Sequence, residues 1–196
     1  VIVSNENTWC DALTVAQLKR VWEPGSKVTN WKDLDPAWPD VPLELFGAGE
    51  ESGTFDYFTE VVNGKEDAIT ENYSPSFDDN VTITGVSGGK GGMGFLGCAY
   101  YFANQDKVKA LKISPTDNVA DAVPPSAENV KNGSYKPLSR PLFIYVKTSS
   151  LARQEVQDFV RYYLNDGAAL VEAVKYVPLS ADELAVSRKA LEDALK

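Results

Sequence analysis

Histidine is absent from these 196 residues. That removes Ser-His-Asp and Cys-His catalysis and any histidine-ligated metal site. Cysteine occurs only twice, at Cys10 and Cys98. The pair could form one disulfide in an oxidising compartment or stand as two buried thiols. Cys98 lies in an apolar, aromatic run, where free thiols are often buried. No apolar run approaches the roughly 20 residues that a membrane helix needs. Positive charge is in deficit as well, and the net charge of −9 argues against a nucleic-acid partner or an anionic membrane surface. It does not exclude an anionic ligand, because distant surface charges are screened within about 10 Å at ordinary salt. No signal-peptide pattern is read in the opening residues. The opening Val1-Ile2-Val3 reads as a strand already under way, so a mature or truncated chain is expected.

What is present is organised around one stretch, Gly47-Ala48-Gly49-Glu50-Glu51-Ser52-Gly53-Thr54-Phe55-Asp56-Tyr57-Phe58. It reads as a strand end, a turn and the start of a helix. The apolar Leu43 to Phe46 precedes it, and Phe55, Phe58, Val61 and Val62 recur at helical spacing. Ser52 is the expected N-cap. The first amides of a helix lack internal acceptors and sit at the positive end of the macrodipole. Gly53 leaves the backbone open to close approach, and Ser52 and Thr54 add hydroxyls. Together they can cradle an oxyanion. A capping serine that binds nothing is the plainer alternative. Glu50 and Glu51 would repel an anion; they read as acids favouring the helix start, or as one acceptor for the proton of a monohydrogen anion.

Along the rest of the chain, strands are expected at Val1 to Val3, Leu43 to Phe46, Gly94 to Gly97, Val108 to Ile113 and, as a buried strand, Leu142 to Val146. A helix capped by Thr14 runs to Trp22 and stops at Pro24-Gly25. Further helices are expected from Ser52 to about Val62, briefly within Lys65 to Asn72, at Ala99 to Ala103 and at Ser126 to Lys131. The last three fall at Arg153 to Leu164, Gly167 to Val174 and Ala181 to Leu195. Val81 to Val86 fits a strand or a helix end. The glycine-dense Gly85 to Gly97 lacks the phosphate-loop pattern and reads as a turn leading into a strand. Alternating strands and helices define an α/β class. Ser114 to Arg140, rich in proline and polar residues, reads as a connection between lobes.

The run Phe46-Gly47 through Ser52-Gly53-Thr54-Phe55-Asp56-Tyr57-Phe58-Thr59-Glu60 resembles the signature of periplasmic phosphate-binding proteins, the substrate-binding subunits of phosphate ABC importers. Other segments resemble that family in the same order: Leu13-Thr14 to Val21-Trp22 with Trp31-Lys32-Asp33-Leu34, Met93-Gly94-Phe95-Leu96-Gly97 with Ala99-Tyr100-Tyr101, Pro137 to Val146, and Tyr176-Val177-Pro178-Leu179. The resemblance implies a type II periplasmic-binding-protein fold in which an anion is held between two α/β lobes. It implies one complete lobe, residues 4–140, and the C-terminal part of the other, residues 141–196, as a strand plus helices. Ser52, Gly53 and Thr54 are then phosphate contacts.

The resemblance further implies a segment with no match here, N-terminal to Val1, which carries the other lobe's contacts, including a carboxylate that accepts the phosphate proton. Weak or absent binding by this chain alone follows from that. Many members place an arginine four residues before the serine, where this chain has Ala48, and Arg140 is the motif-embedded arginine nominated in its place; its alternative is a surface charge beside a strand. The implied partners are inorganic phosphate and the permease subunits of an importer, with no nucleic acid, no cofactor and no metal. The implied location is periplasmic or extracellular, with a lipid anchor in the full-length protein. Edges left unpaired favour self-association. A phosphate-sensing or adhesion role and a Ser52-dependent hydrolase remain alternatives. The hydrolase lacks a base of the usual kind and any S-x-x-K spacing.

Overall fold

A computed structural model describes the whole chain, residues 1–196. Its centre is a five-stranded sheet in the order β4-β3-β5-β1-β6. The strands are β1 (Ile2–Ser4), β3 (Glu44–Ala48), β4 (Ser74–Ser76), β5 (Gly92–Phe95) and β6 (Val108–Ala110). β3 runs parallel to both β4 and β5, whereas β1 is antiparallel to β5 and β6. A separate parallel pair joins β2 (Ala12–Thr14) to β7 (Lys112–Ser114).

Period-two alternation along the strands sends neighbouring residues to opposite faces. Val3, Leu45 and Met93 enter the large core, with α1 (Val15–Trp22) and α2 (Gly53–Asn63) above them. Ile2 and Phe46 face the other way, onto α3 (Asp79–Ser87). The large core is aromatic: Trp22, fully buried, meets Phe58 and Phe95 edge-on at 5.5 and 5.1 Å, and those two rings stack at 4.0 Å. Trp31 is buried in this core and Trp38 packs against it, Trp31 donating its indole N–H to the Gly91 carbonyl at 3.0 Å.

Helix ends follow the expected chemistry. Thr14 and Gln17 form a reciprocal capping box on α1. Asn63 closes α2, and Gly64 reverses the chain in the left-handed region at φ 86°. Val81 to Val86 belongs to α3, and α4 (Cys98–Ala103) and α5 (Ala127–Lys131) follow. The glycines before α4 serve close packing. A Cβ on Gly85 would stand 2.4 Å from the Phe46 ring, and one on Gly92 would stand 2.3 Å from the Val86 carbonyl oxygen. α3 therefore lies directly on the sheet, and β5 runs from Gly92 to Phe95, two residues ahead of the expected strand Gly94 to Gly97.

Several expectations are corrected. Lys65 to Asn72 forms no helix. Asp67 takes a left-handed backbone (φ 62°), its amide donating to the Thr59 hydroxyl, and Thr70 donates to the Trp22 carbonyl, so the segment is pinned as a loop. The expected strand from Val108 to Ile113 is two strands, because the chain changes partners at Leu111. Leu142 to Val146 is neither buried nor a strand. Its five side chains are 37% to 92% exposed, and its backbone groups have no partner within the chain. The segment is as apolar as a core strand, but nothing in these residues lies beside it to complete a ladder.

Ser114 to Arg140 packs onto the large core through Tyr135, which is buried, and through Val123, Val130 and Leu138. Beyond it, α6 (Gln154–Leu164), the short α7 (Leu170–Ala173) and α8 (Ala181–Ala194) follow. Leu151, Val160, Leu164 and Leu191 make a small core of their own. Arg188 fastens α8 to α6 by donating from Nη2 to the Leu164 carbonyl at 3.0 Å. No helix is long and apolar enough to cross a membrane. Cys10 and Cys98 are both free thiols.

Candidate functional site

The order of the sheet creates the site. β3 and β4 end side by side, with Ala48 paired to Ser76. The helices that follow them leave on opposite faces, α2 toward the large core and α3 toward the small one. A crevice opens where connections diverge like this, at the carboxyl ends of parallel strands. The turn Gly49 to Ser52 lies there, closed by the Ser52 amide donating to the Gly49 carbonyl at 3.0 Å. Phe77 walls one side. Its ring would lie 2.9 Å from a Cβ on Gly49.

Ser52 is the N-cap of α2, with extended backbone (φ −105°, ψ 124°), and its Oγ accepts the Thr54 amide at 3.2 Å. One amide of the expected cradle is thus committed to the cap. The Gly53 and Phe55 amides have no acceptor within the chain, and the Thr54 hydroxyl has no partner. Gly53 is exposed; Ser52 and Thr54 are half-buried. The amino end of α2 therefore offers the exposed Gly53 N–H and two hydroxyls, with the unpaired Phe55 N–H on a buried residue behind them. Glu50 and Glu51 point into solvent with no ion pair or hydrogen bond to the protein. The acid of the first turn is Asp56.

Arg140, 87 residues further along, comes to the same helix end. Its Nη2 donates to the Gly53 carbonyl at 2.7 Å, and its Cζ lies 5.2 Å from the centre of the Tyr57 ring. No carboxylate lies within ion-pair distance of it. A cation beside the positive end of a helix is electrostatically opposed, by about 0.3–1 kcal/mol at an exposed site. The arginine is held there by the Gly53 carbonyl and the Tyr57 face. Ala48, the position the resemblance flags for an arginine, is buried in the large core at the end of β3. Ser52, Gly53, Thr54 and Arg140 are thus brought together.

Two neighbours were not among the site residues expected from sequence. Phe77 is one. Tyr57 is the other, and its place was latent in the spacing, four residues after Gly53 on one helix face. Burial pushes the Tyr57 phenol up, and Arg140 partly opposes this, so the hydroxyl stays a donor at neutral pH. A cavity of about 480 Å³ lies elsewhere, at the amino ends of β3 and β4. Glu44 and Glu71 line it without a cation, which unsuits it to an anion. No cluster of three or more metal-ligating side chains exists.

Diverging connections at the carboxyl ends of parallel strands, a helix amino end and an arginine without a carboxylate partner lie on one side of this α/β sheet. Residues 1–166 match the family model of the PBP superfamily domain, and the chain belongs to that family. It is 41% identical over 182 residues to Protein SphX of a Synechocystis strain, which covers 91% of this chain and 53% of that protein. It is 35% identical over 197 residues to the phosphate-binding protein PstS of Staphylococcus haemolyticus, covering 100% of this chain and 58% of that one. The chain therefore spans little more than half the length of these curated relatives.

Among solved structures it resembles one described as a possible phosphate binding protein from Planctomyces limnophilus, with TM-score 0.83 and 42% identity over 100% of this chain and 69% of that one. It also resembles a Clostridium perfringens protein described as a phosphate ABC transporter substrate-binding protein with bound phosphate, with TM-score 0.73 and 28% identity over 91% of this chain and 68% of the other. The fold is thus α/β and periplasmic-binding-protein-like, in agreement with one lobe plus the C-terminal part of another. The PstS relative and the two solved structures are named as phosphate-binding or substrate-binding proteins.

Proposed function

We propose that this chain supplies one side of an inorganic phosphate site. Residues 4–140 form the ligand-binding lobe, and residues 141–196 belong to a second lobe that closes over the anion. Ser52, Gly53, Thr54 and Arg140 are the contacts. Gly53 and Phe55 donate amides, Ser52 and Thr54 donate hydroxyl protons, and Arg140 supplies the charge. The observation that carries this reading is the Arg140 guanidinium held without a carboxylate against the amino end of α2. Two positive elements facing one space are reconciled by an anion between them. The phosphate in the Clostridium perfringens structure and the names of the curated relatives support the choice of ligand.

In the whole protein the bound phosphate is handed to the permease subunits of an ABC importer. The work is then done outside the cytoplasmic membrane, in the periplasm or at the cell surface, by a protein tethered there through a lipid. The chain by itself binds weakly, because only one wall of the cleft is built from these residues and the anion stays in contact with water. Titration of the ¹⁵N-labelled 196-residue chain with inorganic phosphate tests this. The Gly53 and Phe55 amides and the Arg140 Nε–H should shift together, with a Kd of about 1 mM or weaker. Arg140→Ala should weaken binding about tenfold or more, the worth of a charge-assisted hydrogen bond. Shifts absent at saturating phosphate, or scattered away from α2, would overturn the assignment.

A further inference from the structure

Gly53 and Tyr57 lie one turn apart on the same face of α2. Gly53 leaves a notch on that face, and Tyr57 forms its floor. The Arg140 guanidinium fills the notch, bonded to the Gly53 carbonyl and lying over the Tyr57 ring. The same phenol reaches the strand of chain that delivers the arginine. Its oxygen is 2.5 Å from the Pro137 carbonyl oxygen and 3.0 Å from that of Ser139, so the hydroxyl proton is shared between two acceptors just ahead of Arg140. Ser139 closes the turn by donating to the Tyr135 carbonyl at 2.7 Å, and Tyr135 is anchored in the large core. One side chain thus grips both the backbone leading into Arg140 and its head group. An unrestrained arginine carries about 2 kcal/mol of rotamer entropy, which an anion would otherwise have to overcome on binding.

We infer that Tyr57 is the positioning residue for Arg140 in anion binding, an inference that rests on the phosphate-site reading above. Tyr57 does not touch the anion. It holds the guanidinium against the first turn of α2, at the Gly53 carbonyl. Its two halves do separate work. The ring supports the cation by its face, and the hydroxyl ties down the delivering turn.

The test is a set of phosphate titrations on the full 196-residue chain carrying Tyr57→Phe, Tyr57→Leu, Arg140→Ala and the double Tyr57→Leu/Arg140→Ala. Tyr57→Phe keeps the ring and loses the tether, and should weaken phosphate about threefold. Tyr57→Leu loses both, and should weaken it about tenfold. In the Arg140→Ala background the Tyr57→Leu loss should vanish, because the residue acts only through the arginine. A second readout needs no ligand: ¹⁵N relaxation of Arg140 Nε should report a rigid side chain in the parent and a mobile one in Tyr57→Leu. A Tyr57 effect that persists without Arg140, or an arginine equally rigid in Tyr57→Leu, overturns the inference and leaves the phosphate site standing. Unchanged affinity in Arg140→Ala instead removes the phosphate-site reading, and the positioning role with it.

Discussion

A Cβ placed on Gly53 would stand 2.8 Å from the Arg140 Nη2, so the residue at 53 and the guanidinium compete for one space. The backbone at Gly53 is ordinary first-turn helix, which alanine adopts without strain. The atom in the way is the far end of a flexible side chain, which can swing clear. Gly53→Ala should therefore keep or raise stability, by about 0.5–1 kcal/mol from lost freedom in the unfolded chain. It should also weaken phosphate by about five- to tenfold as the arginine is displaced. Urea unfolding and a phosphate titration of the same sample check the pair. Lost stability together with unchanged affinity contradicts the notch.

In the proposed site no carboxylate faces the anion: the groups are amides, two hydroxyls and a guanidinium, and a hydroxyl is a far weaker proton acceptor than a carboxylate. An acceptor for a ligand proton is what would tell monohydrogen phosphate from sulfate. Glu50 and Glu51 point to solvent instead. The 196-residue chain should therefore bind sulfate and phosphate with affinities within about threefold of each other at equal ionic strength. Competition between the two anions at the Gly53 amide measures this. A preference for phosphate of about a hundredfold would place a proton acceptor within these residues and revive Glu50 or Glu51 as the candidate.

How much of this was legible beforehand depended on how local the cause was. Ser52 and Thr14 were readable as caps because a cap is written within four residues. The α/β alternation was readable because periodicity is local too. Arg140 could be nominated only from its motif, since nothing in the chain near residue 140 says that its side chain reaches Gly53. Tyr57 was missed for the same reason, its partners Pro137 and Ser139 lying about 80 residues away. Leu142 to Val146 was misread by a different route. Apolarity records that a segment is suited to burial, but a strand also needs a neighbour for its amides, and these residues provide none. Lys65 to Asn72 failed because a left-handed Asp67 and the anchors to Trp22 and Thr59 override helix propensity.

Cys10 bears on the alkaline limit of the fold. Its thiol is buried and donates to the Ala12 carbonyl at 3.6 Å. Burial pushes it from an ordinary value of 9.0 to about 12, with Lys109 opposing. The folded state thus keeps the proton where the unfolded chain releases it. The stabilisation is whole below the unfolded value of 9.0 and is lost as pH rises toward about 12. The slope within that window is at most about 1.4 kcal/mol per pH unit. Lysines and tyrosines titrate there as well, so the informative quantity is a difference. Cys10→Ala should be less stable than the parent at neutral pH and lose less on going to about pH 10. A gap between the two proteins that stays constant with pH would contradict the buried neutral thiol.

The exposed segment from Leu142 to Val146 makes the last prediction. Amide exchange is slow where a hydrogen bond must break, and fast where the amide already faces water. The β3 amides, paired on both sides with β4 and β5, should exchange only through large openings. The amides from Leu142 to Val146 should exchange near their intrinsic rates, because none has a partner in the chain. The side chains carry the same message. Phe143 and Tyr145 are the two most exposed of the five. Phe143→Lys with Tyr145→Lys should change unfolding free energy by no more than about 0.5 kcal/mol, as for surface positions without a packing role. The same change should lower self-association, since charge on an exposed apolar segment with unpaired backbone opposes edge-to-edge pairing. Sedimentation at rising concentration reads that second effect. Slow exchange across the segment together with a loss of about 2 kcal/mol or more in the double variant would mean that it is packed in solution. A protected segment that loses its protection on dilution would mean that a second copy of the chain supplies the missing neighbour.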